Sequence, residues 1–535
     1  MQSRLFCFVL LAAGVLPGLA QPYLTSTFSD ISVETDLLYA ENYSVLSVPI
    51  TGDPTLEALR LDLYTPQDNG AAERPLVLMV GTSTFLPQEV SLSVHGTRRD
   101  SVNVETAIRL AKLGYVVAVL EHRVGWNPIS GSFSERIGTY FRAVYRAQQD
   151  VRAAVRFFQK SAAEMGNPYK TCADRIVLWG IDSGGMVATA AAYLDSSNDL
   201  LIPKLIGENL APYAQADIDG NLDGTNTTIY PNLPGDPLAN DTLNVPNHAG
   251  YDSGVNLVVN IGGGIIDESW IDANDPPVLA FHVPSDPIAP YGTGLLVALP
   301  TGDLLLEVSG SYDLVRIANE LGINDALGDA QIDDVYTDAA NEDNDGYAGL
   351  FPLTDKMFLN ALGDTVVERD PYNWWDGEFW SNVFISDICA PPFTPYECSY
   401  DYYAKLTHEN NDAAEARLVI DSMINYFAPR AFNALDLGTS AGSDCAFTDV
   451  DDLPAVVAQL RLAPNPAQTD VLLSTDSDLP MRTVSVFDAR GRLVRFRDGL
   501  SARQLTIVRG TLPAGLYHVR VRFDEGLVTH RLVLQ

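Results

Sequence analysis

Positive charge is scarce in this chain. Over 535 residues, 34 Lys and Arg stand against 69 Asp and Glu, a formal net charge of −35. A surface of that sign repels phosphate and excludes nucleic acid as a partner. Such self-repulsion suits a protein kept soluble outside the cell. Cysteine is also rare, with five in all, and no Cys/His spacing has the form of a zinc site, so no metal centre is expected from them. After the first twenty residues no apolar run approaches the roughly 20 residues of a membrane span, so the chain is not expected to be transmembrane.

The start of the chain is different. Arg4, the apolar run Leu5 to Leu16 and the small residues ending at Ala20 have the form of a secretory signal peptide over 1–20. Export into an oxidising compartment makes disulfides an expectation. Cys389 and Cys398 flank a Pro-rich loop and are expected to pair, leaving Cys172 with Cys445; free buried thiols are the alternative. The length implies more than one domain.

One stretch organises the rest. Arg175 to Tyr193 (RIVLWGIDSGGMVATAAAY) is a β-branched apolar run, a glycine-punctuated corner and an Ala-rich run of helix formers. Before it come a half-buried strand (Ala58–Tyr64), a buried strand (Pro75–Val80), a helix (Thr106–Leu113), another buried strand (Tyr115–Leu120) and a helix (Phe141–Phe158). Strands alternating with helices imply an α/β fold with a doubly wound, mostly parallel sheet.

These elements resemble the α/β-hydrolase fold of the carboxylesterase and lipase type over about 59–321. The resemblance rests on GYVVA (114–118), EHRVG (121–125), QDVRAAVRF (149–157), the corner at 180–184 and PVLAFHVPSDPIAPYG (277–292). It implies a hydrolase domain over 21–445 with an insertion or cap at about 312–435, then a linker at 446–457. It also implies a nucleophile elbow, G-x-S-x-G. Gly180 and Gly184 fit the two glycines, which puts Asp182, and not Ser183, at the nucleophile position. Asp286 falls where the family places its acid. The oxyanion loop aligns with Gly81, Thr82 and Ser83, with Gly184 following the nucleophile, in place of the family's His-Gly-Gly-Gly; β-branched Thr hinders a close backbone approach there. The family's histidine belongs after the last strand, taken as Leu304–Val308, and the residues that follow, Ser309 to Tyr312, hold none. His408 is the candidate in chain order.

Nucleophile, oxyanion glycines and base are thus altered together, which favours a non-catalytic binding protein for a small molecule or a polymer. The alternative is a divergent hydrolase, carboxylesterase-like or dehalogenase-like, in which Asp182 or Ser183 acts with Asp286 and His408. Two acidic loops, Asp219/Asn221/Asp223 and Asn341/Asp343/Asp345, match the first half of a calcium loop but place Tyr230 and Pro352 at the twelfth position. They read as acidic turns, with calcium as the alternative and no other cofactor implied. Trp374, Trp375 and Trp380 either stack on a polymer or fill the core of the insertion.

The last segment changes composition: from Leu453 to Gln535 there are eleven Arg, no Lys and seven acids. LAPNPA (462–467), TVSVFDARGR (483–492) and LPAGLYHVRV (512–521) form a small β-sandwich pattern over 458–535. It resembles the C-terminal sorting domain of the type IX secretion system of Bacteroidota. That implies the secretion machinery as partner, and passage through the periplasm and outer membrane to the cell surface or beyond.

Overall fold

The computed structural model describes residues 22–535 apart from 68–72, 233–235, 237, 300, 330–331, 361, 386–388, 390–393, 409–410, 438–458, 477, 489–492, 498–499 and 524–525. The expected signal peptide, the expected linker and Cys445 lie outside the described residues. The chain divides into two compact units, Pro22–Phe447 and one that contains Thr448–Gln535.

The first unit is built on an eight-stranded sheet. Its strands are β1 (Ile31–Ser44), β2 (Thr55–Pro66), β3 (Arg74–Val80), β4 (Val116–Leu120), β5 (Thr171–Ile181), β6 (Leu257–Ile261), β7 (Val278–His282) and β8 (Leu350–Pro352). They lie in the order β1-β2-β4-β3-β5-β6-β7-β8. β1 and β2 pair antiparallel, as do β2 and β4, and every later pairing is parallel. β3, β4, β6 and β7 are buried along their whole length, as near-continuous apolar runs require when both faces are covered. The cover comes from helices α1 (Ser101–Leu113), α2 (Phe133–Glu164), α3 (Ser183–Tyr193), α4 (Ser311–Glu320) and α5 (Ala413–Ala434).

Each helix has a local reason to start where it does. Ser132 accepts the Glu135 N–H at the head of α2, and Asp412 accepts from Ala414 and Glu415 at the head of α5. Along α5, Ile420, Met423, Ile424, Phe427 and Ala431 share one buried stripe. Phe427 from this stripe meets Tyr115 and Trp179 edge-on or tilted, with centroids 5.8 and 5.2 Å apart, which seats α5 on the sheet.

Three expectations change here. The polar lead-in before residue 57 contains β1, a strand whose largely exposed pattern gave no periodic signal. Leu304–Val308 does form a strand, Asp303–Gly310, but in a separate three-stranded sheet; the main sheet ends at β8. The stretch 312–435 is therefore not one insertion, because β8 and α5 both belong to the body of the domain. What reaches across the sheet is the segment 353–412 between them.

The second unit has two antiparallel sheets. β9 (Leu460–Ala463), β10 (Val471–Thr475) and β13 (Gln504–Ile507) form one; β11 (Thr483–Asp488), β12 (Leu493–Arg497), β14 (Gly515–Phe523) and β15 (Gly526–Leu534) form the other. Tyr517, Val519, Val521 and Phe523 alternate inward along β14 and share one core with Leu473 and Ile507 of the smaller sheet.

A buried ion pair ties the first unit together. The Arg123 guanidinium and backbone N–H both reach the Asp150 carboxylate on α2, at 2.8–3.0 Å, with both side chains almost wholly buried. Removing one partner strands a buried charge. Asp150→Ala is expected to cost about 3–5 kcal/mol, read as a lower urea midpoint.

Candidate active site

β5 ends and α3 begins at Asp182, whose φ of 51° and ψ of −116° lie outside the regions open to most residues. Such a corner stores about 1–3 kcal/mol of strain. Glycine on either side permits it. A Cβ on Gly184 would stand 2.1 Å from the Val80 carbonyl oxygen, and one on Gly180 would stand 2.2 Å from that of Gly184. The register inferred from the two glycines is the observed one, and Asp182 crowns the bend.

Its carboxylate is buried, at 7% exposure. Oδ1 accepts a 2.6 Å hydrogen bond from the Tyr372 hydroxyl, and Oδ2 has no hydrogen-bond partner among the described residues. Burial pushes the Asp182 carboxyl up to about 6, opposed by the Arg369 guanidinium and reinforced by the neighbouring Asp370. Tyr372, Arg369 and Asp370 all come from the segment 353–412.

Ser183 is turned away. Its hydroxyl donates to the Ser83 carbonyl at 2.5 Å and accepts the Ser83 N–H at 2.7 Å. This locks the oxyanion loop to the head of α3 and engages a backbone donor that would otherwise face the cleft. Gly81, Thr82 and Ser83 keep the expected position beside the elbow, with Thr82 and Ser83 lining the cavity above it.

The expected acid and base are not brought together. Asp286 follows β7, and its Oδ1 accepts from the Ile288 and Ala289 N–H groups. Its Oδ2 lies 3.6 Å from His282 Nε2, but that ring is already held by Ser311 Oγ at 2.7 Å and the Ala289 carbonyl at 3.2 Å. His408 pairs instead with Asp370 through Nδ1. Burial would depress the His408 imidazole, and the Asp370 carboxylate outweighs it and raises it. Asp370 is itself driven low by His408 and Arg369 in spite of its burial. His408 nevertheless lies between β8 and α5, the loop after the last sheet strand.

Sequence reasoning missed Arg369, Asp370, Tyr372 and His95. One signal was available: Arg369 is the single basic residue between Lys356 and Lys405 in a strongly acidic region. Carboxylates of Asp370, Asp182 and Asp286 offset the cost of burying Arg369 and hold its charge firmly. His95, also at the cavity, is kept low by burial.

The remaining candidates serve structure. Trp374 and Trp375 are buried, the latter donating to Asp401 at 2.9 Å, and Trp380 packs on Tyr400, so this cluster fills the segment's own interior. Asp219 accepts from Gln215, Asn221 accepts from Thr225 and Asn226, and Asp345 accepts from Tyr312. Asp223 and Asp343 add no further ligand, and among the described residues no group of three or more His, Cys, Asp or Glu could hold a metal ion. Cys389 and Cys398 are free thiols and not the expected bridge. Cys398 donates to the Thr394 carbonyl, and burial together with Cys389 raises it to about 11. Cys172 is disulfide-bonded, to a partner outside the described residues.

Two family profiles match the chain: BD-FAE over 61–223, and the secretion system C-terminal sorting domain over 461–535. The chain carries a BD-FAE domain of the α/β-hydrolase type and a type IX sorting domain. The BD-FAE match spans β2 through the elbow and stops short of β7, Asp286 and the segment 353–412. Similar solved structures include a truncated carbohydrate esterase from gut microbiota (17% identity, 57% of this chain and 87% of that one, TM-score 0.30). Others are esterase 2 of Thermogutta terrifontis (16%, 48% and 73%, 0.26) and an alpha/beta hydrolase enzyme from a Medee basin deep-sea metagenome library (14%, 55% and 79%, 0.27). These likenesses are distant and no role is taken from them. No curated protein matches the chain. The sorting domain implies contact with the secretion machinery and an outer-membrane or cell-surface destination. Among the described residues no helix is long and apolar enough to cross a membrane.

The buried carboxyl in the BD-FAE domain has a measurable consequence. Folded Asp182 keeps its proton up to about 6, whereas an unfolded Asp releases it near pH 4, so its contribution to stability is lost as pH rises through that window. Asp182→Asn removes the ionisation and is expected to stabilise the protein by about 2 kcal/mol at pH 7, with the gain vanishing near pH 4. Urea midpoints of both proteins at the two pH values provide the check.

Proposed function

We propose that this is an exported α/β-hydrolase-like protein whose cleft binds a small ligand without hydrolysing it. The observation that carries this is the company Asp182 keeps: a phenol on one oxygen and a guanidinium nearby, with no imidazole in contact. An ester formed on Asp182 would need a base to activate water. The Asp286 carboxylate is committed to its own loop, His282 is held on both ring nitrogens, and His408 faces Asp370. The Ser83 N–H, bonded to Ser183, is not free to stabilise an oxyanion.

A second reading is favoured by one feature. His408 occupies the loop where the resemblance puts a histidine, is oriented by a carboxylate, and has a buried Nε2 without a hydrogen-bond partner among the described residues. That arrangement would suit a hydrolase with Asp182 as nucleophile. The two are separated by assaying the full chain on p-nitrophenyl acetate and 1-chlorobutane. The expected rate equals that of Asp182→Asn. A rate that disappears in both Asp182→Asn and His408→Gln establishes the enzyme and overturns the binding reading.

A further inference from the structure

The cavity above the elbow has a volume of about 90 Å³ and two unlike ends. One end holds opposite charges that do not meet. Asp182 Oδ2 is buried with no hydrogen-bond partner among the described residues. The Arg369 side chain, 19% exposed and lining the same cavity, has as its nearest ionic partner the Asp370 carboxylate at 3.6 Å, on the side of His408. No ion pair joins Asp182 to Arg369, although each feels the other's charge. The other end is apolar, walled by Ile288, Leu296, Val297 and Leu299.

A ligand for this space has to answer both charges. A simple carboxylate would pair with Arg369 but bring a second negative charge against Asp182. A simple amine would do the reverse, and a neutral molecule would leave both charges uncompensated in a poorly solvated site. At roughly 10–15 Å³ per water the volume corresponds to about six to nine water-sized positions, close to the non-hydrogen atoms of alanine through leucine. We propose that the cavity is a binding site for a zwitterionic α-amino acid with a small apolar side chain, its carboxylate on Arg369, its ammonium on Asp182 and its side chain against Leu296 and Leu299. The proposal rests on the binding reading of the cleft. The surrounding groups agree with it: Asp370 balances Arg369 from behind, His408 balances Asp370, Asp286 is held by its loop and His95 is kept neutral by burial.

The test is isothermal titration of the full chain with L-valine, L-alanine and L-leucine, alongside N-acetyl-L-valine, L-valinamide and isobutyrate. Saturable 1:1 binding of at least one free amino acid is expected, with analogues lacking either charge at least about tenfold weaker. Asp182→Asn and Arg369→Met should each abolish it. Leu299→Phe fills the apolar end without altering charge and should weaken leucine more than alanine, which keeps the test open if a charge variant fails to fold. Equal binding by a singly charged analogue, or no binding by any of the three amino acids, overturns the proposal. Absent binding together with absent ester turnover strikes this inference alone, whereas Asp182-dependent turnover strikes the non-hydrolytic reading beneath it.

Discussion

A carboxylate buried on a strained corner has to be compensated from somewhere, and at Asp182 the compensation comes from the segment between β8 and α5. Tyr372 supplies a hydrogen bond and Arg369 a positive charge. Arg369 is in turn acceptable in the interior because Asp370, Asp182 and Asp286 surround it, and Asp370 because His408 and Asn373 hold it. Each buried charge is tolerated through the next one. The segment 353–412 is therefore fixed to the sheet by electrostatics as well as by its own aromatic interior.

The same network accounts for the chemical character of the cleft. In a hydroxyl-based site the corner needs a neutral imidazole at hand and open backbone donors. A permanent negative charge there draws in a cation instead, and Arg369 takes that role. Ser183 and Ser83 close on one another across the former oxyanion loop. The imidazole that the fold still delivers to the right loop is captured by a carboxylate of that loop.

Much of the fold was legible because local physics specifies it. The continuous apolar runs of β3, β4 and β5, the Ala-rich α3 and the inward alternation of β14 each announce a buried or half-buried element. β1 was not legible, because an edge strand with most of its residues exposed carries little periodicity. β8 was hidden for a different reason: three residues, Leu350 to Pro352, are too short to form a pattern, and only pairing with β7 makes them a strand. That omission displaced the expected end of the sheet to Asp303–Gly310 and made His408 look remote from the histidine's place.

The sequence alone determined the register of the elbow, since contacts of 2.1–2.2 Å leave only glycine at 180 and 184, and with it the identity of the residue on the bend. It also determined the parallel core and the sorting module, whose patterns are short-range. Only the tertiary structure decided which groups face Asp182. Tyr372 and Arg369 lie nearly two hundred residues away and reach it through a segment whose path depends on β8 joining the sheet. Partnerships between buried charges are set by long-range packing, and no local pattern in the chain encodes them.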